Sequence, residues 1–252
     1  MSFSANVLEP FFFDHRVDIP VTSTTKILLI PHHLVAGVSI VSAMSSIPKP
    51  KTVYLLFPDH FWKVKDHVGV TDAVLRVGST QLDNGLKNFV QANPKVPWQT
   101  APKEIEGELS FQALVPLVAR IWPDANVVPL MIGPKLSEES QERVSEMLAS
   151  ALNDPESLVL ATADFTHEQP PEVADVYDKI SEKIIFDGDT SRLDEVHVDT
   201  PNVLRIAMRV AQKSGLHVQE LSHTHAARIL QITDPKLWND STSHFIFNFY
   251  SP

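Results

Sequence analysis

The chain of 252 residues contains no cysteine. That excludes disulfides, thiolate ligands and a cysteine nucleophile, so any metal must be held by imidazole and carboxylate groups. No apolar run approaches the roughly 20 residues that a membrane-spanning helix needs, and mean hydropathy is −0.04. Positive charge is scarce: 21 Lys and Arg face 31 Asp and Glu, a formal net charge of −10. Such a surface lacks the cationic patches that hold nucleic acid or anionic membranes, so neither is expected as a partner. The opening Met1-Ser2-Phe3-Ser4 has no basic stretch and no small-residue cleavage pattern, which makes a cytoplasmic protein the expectation. GxGxxG, Walker, GxSxG and HExxH patterns are all missing. With them go the signals for nucleotide cradling, serine hydrolysis and zincin chemistry.

What is present is a repeated local pattern. Ile27-Leu28-Leu29-Ile30-Pro31-His32-His33 has a twin in Tyr54-Leu55-Leu56-Phe57-Pro58-Asp59-His60. Each is an apolar run of strand length, halted by Pro and followed within two residues by His. A third run, Leu158–Ala163, leads into Asp164-Phe165-Thr166-His167. Ligands of open α/β sheets bind outside the carboxyl ends of the strands. Three buried strands therefore deliver imidazoles and at least one carboxylate to one rim.

Further strands are expected over Asn126–Ile132, Leu216–Leu221 and His244–Tyr250, with a peripheral strand or hairpin within His67–Val77. Helices are expected over Ala36–Ile47, Gly85–Gln91 with Asp83 as N-cap, and Glu104–Ile121 with a kink at Pro116. Others follow over Ser137–Leu152, Pro170–Phe186 with an apolar stripe of Val173, Val176, Ile180 and Ile184, and from Thr200-Pro201 to about Lys213. This alternation, with apolar rather than two-faced strands, gives an α/β fold. It is expected as a single domain over 24–252, with a central, mainly parallel sheet flanked by helices on both faces and an irregular arm over 1–23 carrying Phe11-Phe12-Phe13.

Several groups are candidates for chemistry. His32, His33 and His60 follow strands directly, and Asp164 and His167 form an Asp-x-x-His pair in one loop. His223 and His225, read as lying just past the strand Leu216–Leu221, fall two apart, so on an extended chain both face one side. His15, His67, His197, His217 and His244 have no such context and read as surface or edge residues. Glu106 and Glu108 open a helix, where carboxylates favour the dipole, and that explanation suffices for them.

Four segments in order resemble the Memo family, also called AmmeMemoRadiSam system protein B. They are Ile30-Pro31-His32 with Ala36-Gly37; Phe57-Pro58-Asp59-His60; Glu106 to Gln112 with Val128–Gly133; and Thr162-Ala163-Asp164-Phe165-Thr166-His167. That family is similar to the class III extradiol dioxygenases. The resemblance implies their α/β fold and a metal held by His32, His60 and a late ligand, often Cys in the family. Here His223 or His225 falls near that position, with His225 preferred; His33 competes with His32. Fe(II) is the leading ion, with Zn(II) and Cu(II) as alternatives, and Asp164 and His167 become outer or acid–base groups. The implied activity is a redox, dioxygenase-like reaction on a small molecule. The alternatives are a protein of the same fold that binds a peptide or small ligand, and a zinc-dependent hydrolase. The family's middle His falls on Gly107 and its second Glu on Ser110, so acid–base roles of those residues are missing or relocated.

Overall fold

The computed structural model describes residues 2–3, 24–77, 80–82, 86–232 and 241–252. The arm expected over 1–23 lies outside the described residues, apart from Ser2–Phe3, and so does Asp83. The strands are β1 (Ser2–Phe3), β2 (Thr25–Ile30), β3 (Thr52–Pro58), β4 (Val68–Val70), β5 (Leu75–Val77), β6 (Thr80–Leu82), β7 (Trp98–Thr100), β8 (Asn126–Ile132), β9 (Ser157–Thr162), β10 (His217–His225) and β11 (Ser243–Tyr250). The helices are α1 (Gly37–Ser46), α2 (Leu86–Ala92), α3 (Pro102–Glu106), α4 (Leu109–Ile121), α5 (Glu138–Ala151), α6 (Pro171–Asp187), α7 (Pro201–Lys213) and α8 (Ala226–Ile229).

Eight strands form the main sheet in the order β10-β11-β2-β9-β3-β8-β4-β7. The centre is parallel: β2, β9, β3 and β8 run side by side in one direction. Antiparallel neighbours close it on both sides, β11 against β2 and β4 against β8. Alternate side chains of each central strand enter opposite cores, as the pleat requires. Leu29, Leu56 and Val159 meet helices α5, α6 and α7 on one face. Leu28, Leu55 and Leu160 meet α1 and α4 on the other. The expected two-faced α/β architecture is therefore present. Among the described residues no helix is long and apolar enough to cross a membrane.

Three local readings change. The helix expected over Glu104–Ile121 is two helices, because Gly107 ends α3 and Glu108 takes an extended backbone as N-cap of α4. On α6 the stripe expected in the core faces outward in part: Val173, Val176 and Ile180 are exposed, while Ala174, Asp178, Ser181, Ile184 and Ile185 are buried. Periodicity marks a stripe but does not say which side of the helix meets the sheet. Finally, β10 runs on through His225 instead of ending at Leu221, so His223 and His225 belong to the strand.

Strand order positions the site. β9 lies between β2 and β3, so the loops leaving their carboxyl ends emerge side by side, with strand spacing near 4.8 Å. The strand ends of His32 and His60 flank the one that carries Asp164.

Candidate metal centre

His32 follows Pro31, and its backbone N–H donates to Asp164 Oδ1 at 3.2 Å. Its Nδ1 lies 3.2 Å from Thr162 Oγ1, which leaves Nε2 directed at Asp164 Oδ2 and Asp199 Oδ2, each 3.3 Å away. His60 is aimed by a different device. Asp59, buried after the strand-ending Pro58, accepts from the backbone N–H of Val64 at 2.7 Å and so folds the loop back. Gly133 supports that loop: a Cβ there would stand 2.1 Å from the Lys65 carbonyl oxygen, too close for any other residue without movement. Glu108 then takes His60 from both sides, accepting from its backbone N–H at 3.1 Å and from Nδ1 at 2.6 Å. With Nδ1 so engaged, Nε2 is presented 3.3 Å from Asp199 Oδ2. The two imidazole rings meet edge to face, 5.0 Å between centroids.

The meeting point is Asp199, a residue outside the sequence-based candidates. It precedes α7, donates its N–H to the Asp164 carbonyl at 3.0 Å and accepts the Asp164 N–H on Oδ1 at 3.0 Å. This reciprocal pair fixes one loop against the other. Glu108 was also missed, read only as a carboxylate favouring the helix dipole; it is the N-cap of α4 and accepts from the Ser110 N–H and hydroxyl at 3.2 and 3.0 Å. It both caps α4 and orients His60.

Among the described residues two groups of donors result, each with ligand atoms within 4.8 Å of one another: His32, His60 and Asp199, and Asp164, His167 and Asp199. These His/Asp sets could hold a divalent metal ion. His167 is held there by the stitching of its loop to β11, where the Phe165 N–H donates to the Ser243 carbonyl and the Ser243 N–H to the Thr166 carbonyl. A cavity of about 570 Å³, lined in part by His167, His197 and Asp199, opens beside the cluster.

His223 and His225 join neither group. This departs from the ligand expected at that end of the chain, and the reason is the continuation of β10. His223 Nε2 pairs with the buried Asp178 at 2.8 Å, and its ring stacks on Phe245 at 4.0 Å. Asp178 also accepts the hydroxyls of Thr166 and Ser243 at 2.7 and 2.8 Å. His225 is buried against Ser241, 3.0 Å from Nδ1 to Oγ. His33 turns away from His32 and sets its Nδ1 3.2 Å from His244 Nε2. His244, expected at the surface or an edge, is only 1% exposed. Of the remaining imidazoles, His197 stacks on Tyr177 at 3.8 Å, His67 pairs with the exposed Asp66, His217 lies near Tyr250, and His15 lies outside the described residues.

Burial opposes the imidazolium of His60, but hydrogen bonds to Asp199 and Glu108 outweigh it and push its pKa up to about 10. Burial likewise opposes the charged form of His32, and the Asp164 and Asp199 carboxylates still hold its pKa above the ordinary value. Asp199 is depressed below the usual carboxylate range, burial notwithstanding, by its hydrogen bonds to the two rings. Asp164 is raised, mainly by burial. His244 moves the opposite way from His60: burial, then the neighbouring His33, press it down to about 3.

His60, raised in the folded protein, contributes stability that is full below about pH 6.5, the ordinary imidazole value, and is lost towards pH 10. His244, depressed, contributes stability that is present above about pH 6.5 and lost as pH falls towards 3. Melting of chelator-treated protein across this range should show both slopes, with the alkaline one flattened in His60→Gln and the acid one in His244→Phe. Unchanged slopes in the two variants would refute the assignment.

A family model for Memo-like protein matches residues 6–232. No curated protein matches the chain. Among solved structures, the crystal structure of uncharacterized protein JW3007 from Escherichia coli K12 is similar, with a TM-score of 0.57 at 12% identity. The match covers 88% of this chain and 99% of that one, and it shows a shared fold. A match over this span, joined to the strand-end His32 and His60 and the Asp164-Phe165-Thr166-His167 loop, places the chain in the Memo-like protein family.

Proposed function

We propose that the protein is a metal-dependent enzyme of Memo type that acts on a small molecule, with Fe(II) the ion its donors suit best. One observation carries this reading: two imidazole Nε2 atoms, of His32 and His60, converge on a single carboxylate oxygen of Asp199 at 3.3 Å each. Two imidazoles and one carboxylate, with other positions left open, are the donor set of non-haem Fe(II) oxygenases. When bound, such an ion supplies one-electron chemistry and a Lewis acid beside the cavity.

The chain's own residues do the rest. Glu108 accepts the Nδ1 proton of His60 and so keeps the Nε2 lone pair available, the outer-shell role that carboxylates play for metal-bound imidazoles. Asp164 fixes the His32 backbone through its N–H. His167, exposed at the cavity, is placed to exchange protons with a bound substrate.

Protein produced with iron in the medium and purified without chelator should carry stoichiometric iron by plasma mass spectrometry. Nitric oxide added to the ferrous protein should give the EPR signal of a high-spin iron nitrosyl, which requires an open coordination position. Stoichiometric zinc that iron cannot displace would favour a hydrolase instead. No metal at micromolar supply would leave a Memo-fold binding protein.

A further inference from the structure

Asp199 belongs to both donor groups, and it is the one residue they share. Its two oxygens face different ways. Oδ2 lies 3.3 Å from the Nε2 atoms of His32 and His60, whereas Oδ1 is turned to the Asp164 side, where it accepts the Asp164 N–H at 3.0 Å. A carboxylate oxygen has two lone pairs, so Oδ1 can keep that hydrogen bond and still ligate. We propose that Asp199 bridges two divalent cations, the first with His32 and His60, the second with Asp164 and His167 at the wall of the cavity. The inference rests on the metal-dependent reading above and extends it from one ion to two.

Charge supports the second cation. Glu108, Asp164 and Asp199 put three carboxylates into and around the cluster, and Glu108 and Asp164 are 1% and 3% exposed. The histidines ligate only as neutral imidazoles, so one dication against three carboxylates leaves a negative charge uncompensated. Asp164 is the carboxylate that the His32, His60 and Asp199 group leaves out. An unpaired buried charge is costly, and a second dication held by that carboxylate relieves it. There is also room: the cavity of about 570 Å³ that His167 and Asp199 line can hold the waters or substrate atoms that complete a coordination shell. One bridging carboxylate commonly joins ions about 3.5–4 Å apart. In the singly loaded protein His167 remains free to carry protons. Loading the second ion withdraws it, so the two states differ in chemistry as well as in stoichiometry.

Mn(II) is the probe. Titrated into chelator-treated protein and followed by EPR, it should bind to two ions per chain, and the second equivalent should produce an exchange-coupled spectrum. In His167→Ala, whose exposed side chain can be removed without disturbing the core, binding should stop at one ion with an uncoupled six-line spectrum. Asp164→Asn should behave alike, with circular dichroism confirming the fold of each. Saturation of the parent protein at one ion, two ions without coupling, or a second ion indifferent to His167→Ala would each overturn the bridge while leaving the proposed function standing. Failure to bind any ion would overturn both.

Discussion

Asp178→Ala is expected to lower stability by about 3–5 kcal/mol, because it takes a buried acceptor from three hydrogen bonds at once. The carboxylate is 1% exposed and joins three structural units. It reaches from α6 to Thr166 in the loop after β9, to Ser243 at the start of β11, and to His223 on β10. Truncation leaves two hydroxyls buried without their acceptor, at about 1–3 kcal/mol each, and strands the imidazole on Phe245. For a chain of this length the melting temperature should fall by roughly 6–20 °C. Asp178→Asn, which keeps the shape and one acceptor oxygen, should lose distinctly less. Equal melting of the alanine variant and the parent protein would show that the network contributes nothing.

Asp199→Ala has the second large effect, on metal affinity. It removes the donor on which both imidazoles converge, so the loss should exceed the about 10–100-fold that deleting an outer-shell partner costs. It also takes the Oδ1 acceptor from the Asp164 N–H, which loosens the loop carrying His167. His225→Ala is the matched comparison, because the family resemblance gives that residue the third ligand position. Isothermal titration with a divalent ion should show affinity lost in Asp199→Ala and kept in His225→Ala. The reverse outcome would restore the three-imidazole set.

Much of the frame was legible because three of the four central strands have their own terminator. Pro31, Pro58 and Gly133 stop β2, β3 and β8, and the buried runs before them admit a single reading. The rim follows from that frame, so the proximity of His32, His60 and Asp164 could be anticipated. The third donor could not. Asp199 lies 139 residues from His60, and its sequence setting, just before Thr200-Pro201, reads as a helix lead-in. Glu108 was hidden by the dipole explanation, since a carboxylate at a helix start gives no sign that the oxygen capping the helix also holds an imidazole. The misplaced His223 and His225 have another cause. β10 is an edge strand with half-exposed residues along most of its length, so its polar second half carries no alternation to distinguish it from a loop.

The donors come from four stretches far apart in the chain: after β2, after β3, after β9 and before α7. No fragment of the fold owns two of the three ligands His32, His60 and Asp199 without the central strands already docked. A cation that binds there therefore binds the completed native state and has almost no affinity for partly folded chain. Its binding free energy becomes folding free energy for the whole sheet, about 2.7 kcal/mol at a free concentration one hundred times the dissociation constant. Metal supply during synthesis would thus set how much of the newly made chain escapes proteolysis, quite apart from any reaction the centre performs.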